Sequence, residues 1–213
     1  MNDLRSIQKA YSRAKLNRES IDEDPIIQFK TWMDEVIASK LKEPTAMVLS
    51  TVSANGVPSS RVVLLKGIEL GKFVFYTNYN SNKSQEIMGN ANVALTFYWA
   101  DLERQVNIKG SCQKVAVEIS EEYFQTRSRK SQLGAWASQQ SKELSSRLEM
   151  VKEFLALGIK YMGKQVPRPS HWGGYEITPE SIEFWQGRPH RLHDRIKYSK
   201  EGDGKWKIIS LYP

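Results

Sequence analysis

The stretch AMVLSTVSANGVPSSRVVLLK, residues 46–66, decides the fold class. Ala46 to Val52 is apolar and rich in β-branched residues, the composition of a strand with a buried face. Asn55-Gly56 follows, and this pair supplies the positive φ angles of a tight hairpin turn. Ser59 to Lys66 then reads as the return strand. Two strands joined this way pair antiparallel.

Outward from the hairpin, more strands appear. Phe73 to Thr77 is a third, and Val93–Trp99 and Arg104–Val117 are two long ones joined near Asp101. Gly174–Ile177, Ser181–Trp185, Arg191–Ser199 and Trp206–Leu211 complete the sheet, with Gly202–Gly204 turning the last hairpin. Helices lie between them. Asp24-Pro25 reads as an N-cap followed by proline at the first helical position, with Ile26, Phe29, Met33, Val36 and Ile37 as the apolar face. Ser81 to Met88 reads as a short helix closed by Gly89. Ser120 is an N-cap candidate, with Glu121 and Glu122 suited to the helix dipole. Leu144, Leu148, Val151 and Leu155 mark an amphipathic helix ended by Gly158. Leu4, Ile7 and Tyr11 give Asp3–Leu16 helical spacing, and Asn17–Asp24 reads as a flexible link. Strands without regular βαβ alternation predict a mainly β chain with α: an antiparallel barrel with helices packed around it. Residues 1–23 are expected to form an N-terminal helix and flexible segment, which the family resemblance below makes a lid, and residues 24–213 one barrel domain.

Composition narrows the function classes. The chain has 213 residues, 40% hydrophobic and 26% charged, enough for one real core and too apolar for disorder. It has no apolar run of membrane-spanning length, and MNDLRSIQKAYSRAK lacks a signal peptide's apolar region. One cysteine, Cys112, points to a reducing cytoplasm. The net charge of +7 is dispersed, which favours solubility first, phosphate pockets second and nucleic acid third. No nucleic-acid or membrane partner is expected. His171, His190 and His193 lack carboxylate or thiol partners at ligand spacing, so no metal site is expected.

Several stretches pair cations with hydroxyls or aromatics. Arg61 and Lys66 bracket an apolar strand and would face opposite ways if it were regular; a solvated edge strand would look the same. Tyr76-Thr77-Asn78 ends a strand just before Ser81-Asn82-Lys83 opens a helix, a phosphate-seating arrangement or an ordinary capped surface turn. Gln105 carries donors and an acceptor for a heterocycle edge, or sits on a plain strand surface. Tyr123, Arg127 and Ser131 recur at i, i+4 and i+8, placing a phenol, a guanidinium and a hydroxyl on one face if a single helix spans them. The same face could simply be solvated. Arg191, His193 and Arg195 alternate, which on a strand would put two cations and an imidazole side by side, a ligand-binding pattern more than a structural one.

Taken together, RVVLLK (61–66), FYTN (75–78), LERQV (102–106), YFQTRSRKSQLGAWAS (123–138), WGGYE (172–176), IEFWQG (182–187) and RLHDR (191–195) resemble the pyridoxamine 5'-phosphate oxidase family, from about Asp24 to Pro213. The resemblance implies an FMN-binding split barrel that works as a homodimer, with FMN at the subunit interface held by both chains. It implies oxidation of pyridoxamine or pyridoxine 5'-phosphate by O2 to pyridoxal 5'-phosphate, releasing H2O2. Carried over by position, Arg61, Val62, Val63, Leu64, Leu65, Lys66, Tyr76, Thr77, Lys83, Gln105, Gln140, Ser141, Trp185 and Arg195 would hold FMN. Lys66, Tyr123, Arg127 and Ser131 would grip the substrate phosphate, Arg191 and His193 would form the catalytic pair over the ring, and Tyr11 would close on it. Asn82 and Gln8 stand where the family usually has arginine. Another split-barrel flavoprotein, a flavin reductase or a non-catalytic flavin or haem binder, is the competing expectation; it would not need RLHDR or the Tyr123/Arg127/Ser131 set.

Overall fold

A computed structural model describes residues 11–213. Helix α1, Pro25–Ala38, opens the ordered core, with the Asp24 carboxylate accepting from Ile26 N. Strands β1 (Ala46–Val52) and β2 (Pro58–Leu64) form the expected hairpin, with Ala46 opposite Leu64 and Val52 opposite Pro58. Gly56 at φ +78 makes the turn, a conformation glycine takes without strain. Then come β3 (Gly67–Glu69), β4 (Lys72–Asn78), α2 (Asn82–Gly89), β5 (Asn92–Trp99) and β6 (Arg104–Lys114). Helices α3 (Val117–Thr126), α4 (Arg129–Ala137) and α5 (Arg147–Lys160) follow. Strands β7 (Trp172–Gln186), β8 (Asp194–Lys200) and β9 (Trp206–Leu211) end the chain.

All pairings are antiparallel, in the order β2-β1-β5-β6-β7-β4-β3, with β8 added to β7 and β9 to β8. The two ends of that path, β2 and β3, are joined in the chain by Leu65 and Lys66 alone. The sheet therefore curls round until its ends nearly meet, and Lys66 N reaches Val74 O at 2.8 Å. This is a split barrel. α1 fills its interior: Phe29 is fully buried and meets Phe73 and Phe97 edge-on at 5.0 and 5.1 Å. β7 is the spine, pairing with β4 through its first half and β8 through its second, while β6 runs along both. A bulge at Lys109/Gly110 lets β6 follow the bend, and there a Cβ on Gly110 would collide with the Thr178 carbonyl.

Four expectations need correction. Tyr11 to Leu16 is not helical; the rest of the expected first helix, with Gln8, lies outside the described residues. Ser120 does not cap α3, which starts at Val117; its hydroxyl turns inward and accepts from Gly174 N at 3.1 Å. Gly158 lies inside α5 rather than closing it, and Gly89 is the last residue of α2, with Asn90 as its C-cap. Finally, the Leu144, Leu148, Val151 and Leu155 stripe is solvent-exposed. α5 instead buries Leu157 in a second small core with Phe124, Leu133, Val166 and Trp172, so its inward face is the opposite one.

Candidate functional site

The near-closure of the barrel creates a cavity of about 750 Å³, within the range of roughly 300–1,000 Å³ common for ligand pockets. One wall is the end of β2: Arg61, Val62, Val63, Leu64 and then Lys66. Leu65 is missing from the wall because its side chain turns into the core. β2 stops at Leu64, so strand alternation does not carry to Lys66, and the two cations share one cavity instead of opposite faces. The floor is Tyr76 and Thr77 from β4 and Lys83 from α2. Tyr123, Arg127, Ser131 and Gln140 close the far side.

Arg61 is firmly held. Its guanidinium pairs with Glu86 at 3.1 Å and donates to Thr51 Oγ1 and to the Leu49 and Ser59 carbonyls. Burial pushes the Glu86 carboxyl up, but hydrogen bonds from Thr51, Ser59 and Arg61 outweigh it and hold it below the usual carboxylate range. Lys83 is buried, and its Nζ donates to Gln140 Oε1, Ser81 Oγ and Thr77 Oγ1 at 2.7, 2.9 and 3.2 Å. Burial, and then the nearby Arg61 charge, bring its pKa down to about 8. Lys83 is thus a charge that the fold leaves short of a counter-anion.

Tyr123, Arg127 and Ser131, the expected phosphate grip, do not share a helix. α3 ends at Thr126, Arg127 is extended, and Ser128 starts α4 by accepting from Ser131 N. The break nonetheless leaves Tyr123, Arg127 and Ser131 on one cavity wall. Tyr76 and Tyr123 stack at 3.8 Å, and burial pushes the Tyr76 phenol up to about 12 and Tyr123 upward as well. Both are therefore neutral donors near pH 7. Arg127 Nη1 is buried without a hydrogen-bond partner among the described residues, and burial lowers the pKa of its guanidinium. A buried N–H left unpaired is costly unless a ligand satisfies it.

The remaining expected residues collect elsewhere. Trp185 lies at the opposite end of β7 from Trp172, roughly 40 Å along the strand at ~3.3 Å per residue. Around it sit Tyr11 at 5.7 Å and His193 at 4.7 Å between ring centroids. Gln105 is directly opposite Trp185 in register. Arg195 is tied to Glu183 at 2.9 Å, a hydrogen bond that raises its pKa. Arg191, His193 and Arg195 do not alternate on a strand. β8 begins only at Asp194, because Pro189–Arg191 forms a 3₁₀ turn with His190 and Arg191 at φ +57 and +61. His193 Nδ1 accepts from Arg188 N at 3.1 Å, so the neutral ring carries its proton on Nε2. Ser141, at φ +69, lines a neighbouring cavity rather than the main one.

Sequence reasoning missed Ser128, Gly134, Ala135, Ser138 and Trp172 as cavity wall. All lie within or beside the motif stretches, but nothing in their residue types or spacing marks them as lining a ligand. Among the described residues, no group of three His, Cys, Asp or Glu could hold a metal ion, and no helix is long and apolar enough to cross a membrane.

Fold and site define a split-barrel protein with an anion-seating cleft. The family model for pyridoxamine 5'-phosphate oxidase matches residues 33–186, and that for the pyridoxine 5'-phosphate oxidase C-terminal dimerisation region matches residues 172–213. A pyridoxine/pyridoxamine 5'-phosphate oxidase of Rubrobacter xylanophilus is 50% identical over 99% of this chain and 97% of its own. Another, from Bacteroides thetaiotaomicron, is 45% identical over 100% of both. Among solved structures, PhzG from Burkholderia lata, in complex with tetrahydrophenazine-1-carboxylic acid, superposes with a TM-score of 0.87 at 28% identity, covering 92% of this chain and 95% of that one. A pyridoxamine 5'-phosphate oxidase-related FMN-binding protein of Nostoc punctiforme shares the fold at a TM-score of 0.72 and 14% identity, over 91% of this chain and 100% of that one. The chain belongs to the pyridoxamine 5'-phosphate oxidase family.

Proposed function

We propose that the protein is an FMN-dependent oxidase of pyridoxine and pyridoxamine 5'-phosphate, acting in the cytoplasm as a homodimer. The observation that carries the reading is the unpaired, buried Arg127 Nη1 in a cavity that also holds Lys66, Tyr123 and Ser131. That set suits the phosphate of a small substrate. Lys83 and Arg61, a short distance along the same cavity, suit the phosphate of FMN. When bound, FMN supplies a hydride acceptor and returns the electrons to O2.

The chain's own residues do the rest. Lys66, Tyr123, Arg127 and Ser131 fix the substrate phosphate, and that remote binding energy orients the reacting carbon, C4'. Tyr76 and Thr77, with the β2 backbone, seat the flavin. Trp185 and its cross-strand neighbour Gln105, with Arg191, His193 and Arg195, line none of the cavity that holds Lys83 and Arg127, and a second copy would bring them to it. The matched dimerisation region, residues 172–213, contains Trp185, Arg191, His193 and Arg195. In that assembly Arg191 donates to the hydroxyl or amine on C4' and so positions that carbon for loss of its hydride, while the proton of the hydroxyl or amine leaves to water. His193, with its Nδ1 engaged by Arg188 N, orients rather than accepts. Tyr11 stands over Trp185 and His193 as a cover that keeps water out.

The direct test is to purify the protein, record flavin absorbance, and follow pyridoxal 5'-phosphate formation from pyridoxine 5'-phosphate in air. A yellow protein with turnover is expected. A colourless protein that takes up no added FMN, or a yellow one inert to both substrates, would overturn the reading.

A further inference from the structure

We propose that Trp172 is the positioning residue that aims Arg127 at the substrate phosphate; this rests on the oxidase reading above. The indole is fixed before any ligand arrives. Trp172 is the first residue of β7, opposite Asn78 in register, and its N–H donates to Pro169 O at 3.0 Å. Its carbonyl accepts from Arg168 Nη1 at 2.5 Å, and Arg168 Nε is tied to Glu121 of α3 at 3.1 Å. The strand start and α3 are therefore locked together at this residue. Phe124 meets the ring at 5.2 Å and 66° and packs it into the second core.

The cavity-facing side of that platform carries the phosphate grip. The Arg127 guanidinium carbon sits 4.4 Å from the indole centroid, and 5.8 Å from the Phe124 ring. Tyr76 and Tyr123 lie nearly parallel to the indole, at 11° and 6°, with centroids 5.5 and 6.3 Å away. Both phenols and the guanidinium thus take their orientation from one plane. Arg127 needs such support because it lies in the extended link between α3 and α4, where no helix fixes its backbone. Tryptophan provides the strongest ring face for a cation, and a guanidinium stacked flat on it keeps its edge N–H groups free. The unpartnered Nη1 is the edge left for the ligand.

The experiment is steady-state kinetics of FMN-loaded protein on pyridoxine 5'-phosphate for wild type, W172F, W172L, R127A and the W172L/R127A double variant. Removing the ring face with W172L is expected to raise KM about tenfold, with the effect on KM rather than kcat and FMN retention kept. W172F, which keeps a smaller face, should return most of it, leaving KM within about threefold of wild type. In the R127A background W172L should add less than about twofold, because the two residues act as one unit. An unchanged KM in W172L, or a full further tenfold rise on R127A, overturns the proposal. If W172L does not fold, W172F decides alone: a KM equal to wild type overturns it. Should wild type itself show no turnover, the oxidase reading fails instead. Phosphorus NMR titration of wild type and W172F with inorganic phosphate then still tests the grip, and equal affinities overturn it.

Discussion

The two ends of β7 hold two unlike half-sites. At the Trp172 end, charged groups outnumber their partners: Lys83 is buried with its pKa near 8, and Arg127 Nη1 has no hydrogen bond among the described residues. At the Trp185 end, most partners are already in place. Arg195 is paired with Glu183, Arg188 with Asp194, His193 Nδ1 with Arg188 N, and Tyr11 covers the rings. One half is rich in unpaired positive charge, and the other is a finished surface with Arg191 standing exposed at φ +61. The difference fits the proposed oxidase, in which one chain builds a binding half and a covering half that line separate places. In the proposed homodimer each copy would supply the half that the other's cavity lacks.

The largest expected effect breaks that division directly. R191A should lower turnover at least about 100-fold, since the group nearest the reacting carbon is lost, while FMN retention stays within about twofold. Equal losses of both would refute the role. R191A and R127A protomers, mixed by unfolding and refolding, should then recover about a quarter of wild-type activity, since half the dimers are mixed and each has one intact site. No recovery would mean that both residues serve a site within one chain.

R127A tests the binding half alone. It removes a charge-assisted grip on phosphate and should raise KM about 30-fold, with kcat and flavin content little changed. An unchanged KM would put the substrate phosphate elsewhere. The binding half was also the more legible in the sequence. The hairpin was readable because Asn55-Gly56 fixes its turn locally, and Lys83 because a strand end and a helix start flank it. The Tyr123, Arg127 and Ser131 spacing put the three together, as the cavity wall does, but for a partly wrong reason. The helix breaks at Arg127, because the Ser128 hydroxyl caps a new one, yet the break keeps all three facing the cavity. Trp172 was hidden because its role depends on packing between a strand start and a helix end distant in sequence. At the other half, alternation misread Arg191 and His193. Pro189 and two positive φ angles prevent a strand there, and no side-chain pattern reports that.

A pH series sharpens the contrast between the halves. Lys83 has a folded pKa of about 8 against an ordinary 10.5, so its ammonium is lost in the free protein as pH rises through 8. FMN phosphate needs that charge, and its affinity should fall by up to about tenfold per pH unit above 8. The stability of the flavin-free fold should move the other way. Between about 8 and 10.5 the unfolded chain binds the extra proton, so the Lys83 contribution to stability rises with pH. Lys83→Met should bind FMN more weakly and flatten both slopes. A wild-type FMN affinity that is constant from pH 7 to 9.5 would remove Lys83 from the flavin phosphate.

The smallest effect lies in the cover. Segment 11–16 is strapped to the barrel: the buried Glu103 carboxylate accepts from Ser12 N and Arg13 N at 2.9 and 3.0 Å, and Asp194 from Leu16 N at 3.0 Å. The strap presses Tyr11 against Gly187, where a Cβ would come within 2.7 Å of the phenol ring. Gly187→Ala must therefore push Tyr11 off Trp185 and His193, while the strap itself still holds. Only the exclusion of water and the packing over the substrate ring suffer, so KM should rise about threefold with FMN affinity unchanged. Glu103→Gln weakens the strap at its other end and should give a similar rise. If Gly187→Ala instead reduced flavin retention as strongly as it raised KM, Tyr11 would be supporting the barrel at Trp185 rather than covering the substrate.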